Sequence, residues 1–140
     1  MAKENNNSWS FTVLRIVLGI IFAAHGYAKL FVPGGFTGTY NFFKAIGIPL
    51  AAYSALIVSV VEFAGGILLI LGLLSRWASA VIFIQMLVAL FKVHLQNGFF
   101  VSKGGYEFVL LILAALLVVV VKGPGALSAG KKYFKSKQMH

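Results

Sequence analysis

Ionisable side chains within apolar stretches are the part of this chain that could do chemistry. Glu62 lies inside the apolar stretch 51–74, and Glu107 opens another at 108–121; the chain has only three acidic residues in all. Basic and imidazole groups lie in or beside the apolar stretches as well: Arg15, His25, Lys29, Lys92 and His94. Because an ionisable group is costly inside a bilayer, it indicates a functional site and needs a partner.

The chemistry that these groups suit is proton exchange with a ligand oxygen. A carboxylate beside histidine and lysine, in a site with little water, can give and take such a proton. We predict Glu62 and His25 as the catalytic pair, and the ligand contacts as Lys29, Arg15, His94, Glu107 and Tyr27. In this scheme Arg15 holds Glu62 ionised, and Tyr27 stacks on a flat ring. The predicted ligand is a quinone or a phenol that is not covalently bound.

The elements that carry these residues are four apolar stretches, at 9–31, 49–74, 77–95 and 106–121. The chain is 60% hydrophobic and 11% charged, against about 45–50% and about 25% for a soluble domain. A membrane-spanning helix needs about 20 residues, so the first three stretches qualify and the fourth is short. The prediction is one all-α domain over 1–140, a four-helix transmembrane bundle with short loops. Ser75 and Arg76 would join the second helix to the third, and residues 32–48 would form an interfacial or re-entrant cap.

The formal net charge of +9 comes largely from a basic tail at 122–140. Such a tail beside a membrane sets topology and contacts anionic lipid, so nucleic acid is not an expected partner. Lysine and arginine concentrated on one side predict that both termini are cytoplasmic in a multi-pass protein of the inner (cytoplasmic) membrane. The chain has no cysteine, which excludes thiolate metal sites, iron–sulfur clusters and disulfide exchange.

Most of the ionisable residues are predicted to lie at a similar depth in the membrane. At the rise of an α-helix, six of them lie between about 18 and about 27 Å from the cytoplasmic end of their helices, in one layer of the outer half of the bilayer. Arg15 lies only about 6 Å from the cytoplasmic end of its helix, where its side chain either reaches the cytoplasmic surface or turns inward toward Glu62. Small residues near these positions, such as Gly19, Gly26 and Gly66, predict that the first two helices pack closely.

Structural alternatives remain beside the catalytic hypothesis. In one alternative, Glu62 forms an ion pair whose only role is to hold two helices together. A haem between His25 and His94 is the less favoured cofactor, and no metal site is predicted because no tight spacing of ligands exists. The function hypotheses are a redox subunit with electrons from a partner protein, a non-catalytic anchor or assembly protein, and a small proton-linked transporter. Formation of a homo-oligomer stays open.

The chain also resembles the DoxX family of small four-helix membrane proteins. The resemblance rests on LRIVLGIIFAAHGYAKL (14–30), GIP (47–49), VEFAGGILLILGLLSRWAS (61–79), KVHLQNGFF (92–100), GGYEF (104–108) and GPGALS (123–128). The resemblance implies that eight residues occupy positions typical of the family: Arg15, His25, Gly26, Lys29, Glu62, Gly65, Gly66 and Glu107. It implies an inner-membrane protein tied to redox metabolism, similar to subunits of thiosulfate:quinone oxidoreductase or to oxidoreductases linked to catechol and quinone chemistry.

Overall fold

The computed structural model describes residues 2–132, with side chains from residue 9 onward. Its helices are α1 (Ala2–Phe31), α2 (Gly35–Ala45), α3 (Ala51–Leu71), α4 (Ser75–Ala89) and α5 (Glu107–Lys122). A π-helical turn, Leu90–His94, continues α4, and short 3₁₀ turns follow at Leu95–Asn97 and Val101–Lys103. No strand occurs in residues 2–132, so the all-α prediction is confirmed. Lys135 and Lys137 of the predicted basic tail lie outside the described residues.

The outer surface of the molecule is apolar. Three helical segments are long and apolar enough to cross a membrane: Trp9–Phe31, Ala51–Leu71 and Ser75–Asn97. Large apolar side chains are exposed on every helix, among them Val13, Ile57, Trp77, Ile84 and Leu111. A soluble monomer rarely exposes apolar surface of this extent, whereas lipid tolerates it.

The turn between α3 and α4 differs from the prediction. We expected Ser75 and Arg76 to form it, but these residues begin α4. α3 instead ends at Leu71, because Gly72 takes a positive φ of 73° and caps the helix in the left-handed conformation. The turn therefore lies at residues 72–74, three positions earlier than predicted.

The segment predicted as an interfacial cap contains a regular helix, α2. Gly34 begins it with a positive φ of 79°, and Gly35 packs against the carbonyl group of Ala28, where a β-carbon would lie 2.0 Å from the oxygen. No residue of α2 is fully buried. The helix therefore covers the bundle instead of belonging to its core.

Glycines bring α1 and α3 into backbone contact, as predicted. A β-carbon on Gly26 would lie 2.2 Å from the backbone nitrogen of Phe63, and one on Gly66 would lie 2.3 Å from that of Ala23. A β-carbon on Gly19 would lie 2.7 Å from the carbonyl oxygen of Gly66. Small residues permit this approach of two helices in a membrane.

Gly66→Ala is expected to separate α1 from α3, because its new methyl group would meet backbone atoms that cannot rotate away. Overpacking of this kind costs about 1–3 kcal/mol. Thermal unfolding in mild detergent measures the loss. The control is Gly38→Ala in α2, where a β-carbon meets nothing within 4 Å. Equal melting temperatures for the two variants would contradict the close approach.

The core lies where α1, α3, α4 and α5 meet. Its fully buried members include Phe22, Leu69, Ile82, Leu116 and Val119. The six ionisable residues predicted to share one layer lie beyond one end of this core, and Arg15, predicted at a different depth, lies at the other end.

Candidate functional site

A cavity of about 1030 Å³ lies among the helices, next to the core. Most of its wall is apolar. Its polar side chains are His25, Lys29, Thr39, Ser54, Glu62, Gln85, Lys92 and His94. The cavity thus brings together four of the seven predicted site residues, namely His25, Lys29, Glu62 and His94.

Glu62 is the polar centre of the cavity wall. Only 6% of the residue is exposed. Its Oε2 lies 2.6 Å from Lys29 Nζ in an ion pair, and its Oε1 accepts a hydrogen bond of 2.8 Å from Gln85 Nε2. The three side chains, here called the polar cluster, join α3 to α1 and to α4. Lys29 carries three N–H donors and gives one to Glu62, so two can serve a ligand oxygen.

Gln85 is the member of the cluster that the sequence analysis missed. It is the single amide side chain in the apolar stretch 77–95. An amide within such a stretch needs a hydrogen-bond partner, as a charged group does, because lipid offers none. That signal is present in the sequence, but it is separate from the pattern of charged residues on which the prediction rests.

The two histidines of the cavity make the same kind of contact. His25 Nδ1 lies 2.8 Å from the carbonyl oxygen of Ile21, and His94 Nδ1 lies 2.8 Å from that of Gly104. Because a carbonyl oxygen can only accept, Nδ1 carries the hydrogen in both rings. In a neutral ring Nε2 is then an acceptor. Both rings can therefore accept a hydrogen bond from a hydroxyl group of a ligand.

Arg15 lies at the opposite end of the bundle and does not contact Glu62. Its side chain is fully buried, with 1% of the residue exposed. It donates to the carbonyl oxygens of Leu69, Ile70 (3.0 Å), Pro124 (2.8 Å) and Leu127. The predicted role of Arg15 as the counter-ion of Glu62 is wrong. All three guanidinium nitrogens of Arg15 donate instead to backbone carbonyl groups near the end of α3 and after α5.

Glu107 and Tyr27 also lie outside the cavity wall. Glu107 Oε1 accepts a hydrogen bond of 2.8 Å from the backbone nitrogen of Val101, which fixes the segment before α5. The ring of Tyr27 lies 5.3 Å from that of Phe31 and 6.3 Å from that of Phe63, on the exposed outer face. The structure therefore gives both residues structural contacts and leaves their predicted ligand contacts without geometric support.

Comparison with known proteins identifies the family. The profile of the DoxX family matches residues 10–95. The chain belongs to the DoxX family. An uncharacterized protein of Haemophilus influenzae is 36% identical over 136 residues, which cover 94% of this chain and 96% of that protein. No solved structure matches.

Two further relatives of this DoxX protein have descriptive names. "Putative oxidoreductase CatD" of Bacillus subtilis is 31% identical over 126 residues, covering 90% of this chain and 88% of the relative. "Inner membrane protein YqjF" of Escherichia coli is 28% identical over 116 residues, covering 83% and 85%. Together with the three apolar segments, the relatives identify this DoxX chain as a membrane protein.

The π-helical turn of this DoxX protein carries the remaining charge of the cavity. Lys92 and His94 both lie in Leu90–His94, and both line the cavity. π-helical turns are rare and occur frequently at functional sites. Lys29 and Glu62 neutralise each other, so Lys92 leaves the cavity with an excess of positive charge. This charge favours a ligand whose oxygen gains negative charge.

Proposed function

We propose that this DoxX protein is the membrane subunit of a redox system and that its cavity binds a quinone or a phenol. The observation that carries the proposal is the polar cluster, an ion-paired carboxylate in the wall of a largely apolar cavity. A flat apolar ring with oxygen substituents matches such a lining, because few polar groups fix its orientation. The name of the Bacillus subtilis relative is consistent with a redox role.

The proposed topology has four membrane helices with both termini in the cytoplasm. α5 has 16 residues, which gives a length of about 24 Å. Lys122 at its end can extend toward the lipid headgroups and compensate for the missing length. Its buried side chains belong to the same core as those of α1, α3 and α4, which supports a common bundle in the inner membrane.

In the proposed reaction, the electrons and the protons reach the ligand by different routes. Reduction of a quinone to a quinol takes up two electrons and two protons. A redox partner protein supplies the electrons. Lys29 donates hydrogen bonds to one ligand oxygen, and Glu62 and His25 carry protons between that oxygen and the cavity mouth. Lys92 stabilises the negative charge that the oxygen gains before it is protonated.

A non-catalytic anchor is the second candidate function. The observation that favours it is the complete pairing of Glu62, since both of its oxygens already have donors within the protein. In this case the polar cluster only locks three helices together, and the cavity holds lipid.

Photoaffinity labelling tests the proposed site. The protein in lipid nanodiscs is illuminated with an azido-benzoquinone, and labelled peptides are mapped by mass spectrometry. We expect labels on cavity-lining residues such as Phe22, Val61 and Met86, and competition by unlabelled quinone. Labels spread over exposed outer residues, such as Tyr27 and Leu111, without competition would favour the anchor.

Gln85→Leu is expected to weaken quinone binding about tenfold, a change of about 1.4 kcal/mol in the binding free energy, because Glu62 loses the donor that orients its carboxylate in the cavity wall. Equilibrium titration in nanodiscs measures the affinity. The control is Gln96→Leu, which removes an amide whose contact is the carbonyl oxygen of Lys92, outside the cluster. Equal quinone affinities for the two variants would show that the amide of Gln85 does not contribute to ligand binding.

A further inference from the structure

The helices α3 and α4 contact each other at two levels, and beyond these levels residues of both helices line the cavity, in a region here called the gap. A β-carbon on Gly65 would lie 2.9 Å from Ile82 Cδ1, and one turn further Glu62 accepts the hydrogen bond from Gln85. The register of these two pairs places Val58 opposite Ala89 in the next turn. Both of these residues line the cavity. No hydrogen bond of the described side chains joins the two helices beyond Gln85.

The rims of this gap are apolar and exposed to the outside. Ile57 is 62% exposed, Ile84 63% and Val88 48%, and all three also line the cavity. Because the cavity is only partly enclosed, we take these three exposed side chains to lie along the part of its opening that α3 and α4 form. Ile84 lies near the middle of the segment Ser75–Asn97, which is long enough to span the membrane. The opening is therefore at the depth of the lipid chains.

The cavity is also larger than a quinone or phenol ring needs. Its volume of about 1030 Å³ is at the upper end of the range of about 300–1,000 Å³ for pockets that bury drug-sized ligands. Its polar side chains are a minority of the lining, and the lining residues of α3 and α4 include the apolar Val58, Val61, Ile84 and Val88. This division matches a molecule with a polar head and an apolar tail.

We propose that the gap between α3 and α4 is a lateral portal for a lipid-soluble ligand. The head group lies at the polar cluster, and an alkyl or isoprenoid tail passes between Ile57 and Val88 into the bilayer. The inference rests on the proposed function and adds to it the class of ligand, a long-tailed quinone, and its route of entry from the membrane.

A test compares two benzoquinones, one with a ten-carbon alkyl tail and one with a methyl group in its place. Val88→Trp fills the portal, and Leu111→Trp on the outer face of α5, 65% exposed, is the control. We expect Val88→Trp to slow association of the tailed quinone at least about tenfold and to change that of the short one less than about threefold. Leu111→Trp should change neither.

A chemical version of the test avoids any effect on folding. The chain has no cysteine, so Val88→Cys carries a single thiol that can be blocked in the folded protein by methyl or benzyl methanethiosulfonate. The two blocked forms are compared with each other, because a free thiol would add to the benzoquinone. Stronger slowing of the tailed quinone alone by the benzyl group than by the methyl group supports the portal. Equal effects on both quinones, or none, would overturn it. If the unchanged protein binds neither quinone, the proposed function fails, and this inference fails with it.

Discussion

Replacing Glu62 with glutamine is expected to abolish quinone turnover while the protein remains folded. The variant removes the counter-ion of Lys29 and the only carboxylate that the described residues contribute to the cavity wall. Loss of a positioned proton carrier lowers rates by about 100-fold to 10,000-fold. Quinone reduction in native membranes, which contain the redox partner, measures the rate, and titration in nanodiscs measures the affinity.

The control for this experiment is Glu107→Gln, which removes the other described carboxylate of the membrane helices. Glu107 contacts the backbone of Val101 and lies outside the cavity wall. Its variant should keep the affinity and the rate, with a small loss of thermal stability. A Glu62→Gln protein with unchanged turnover and a lower melting temperature would identify the cluster as a structural lock.

Arg15→Met is expected to lower the free energy of unfolding by about 3–5 kcal/mol, because it leaves buried carbonyl groups without donors. Arg15 connects the last turn of α3 to the segment after α5. Gly72 lies against it, and Ser128 Oγ donates to the carbonyl oxygen of Gly72 at 2.8 Å. Thermal unfolding in mild detergent should show a fall in melting temperature of about 10 °C or more.

Arg15→Lys should recover only part of this loss, because an ammonium group is a point donor and cannot span carbonyl oxygens on two segments. The matched control is Arg76→Met, since Arg76 is exposed at the start of α4. That variant should unfold within about 0.5 kcal/mol of the unchanged protein. Quinone affinity in a folded Arg15 variant should stay near normal; a specific loss of affinity would restore the predicted link to Glu62.

The sequence predicted much of the fold because its signals are local. Apolar stretches near 20 residues locate the helices, and the glycines of α1 and α3 indicate where backbones can approach. The partner of Glu62 was not predicted, since Arg15 was expected to hold it ionised and the structure pairs it with Lys29 instead. Turn positions were less accurate, since a single Gly72 with positive φ decides where α3 ends.

The candidate site was only partly predictable, for physical reasons. The depth of a residue along its helix does not say which acceptors lie near its side chain. Arg15 donates to backbone carbonyl groups, and no sequence pattern indicates where those groups lie. Gln85 carries no charge, so a search for ionisable residues missed it. Glu107 has the right depth, but its carboxylate turns to the loop before α5. The cavity itself is lined by residues of all five helices, so it depends on packing across the whole bundle.

Mass spectrometry of small molecules extracted from the protein purified in mild detergent tests the central claim most directly. We predict a quinone or phenol at close to one molecule per chain, reduced to background in the Glu62→Gln variant. Extraction of lipid alone, in equal amounts from the unchanged protein and the variant, would contradict the ligand site and favour an anchor or assembly protein.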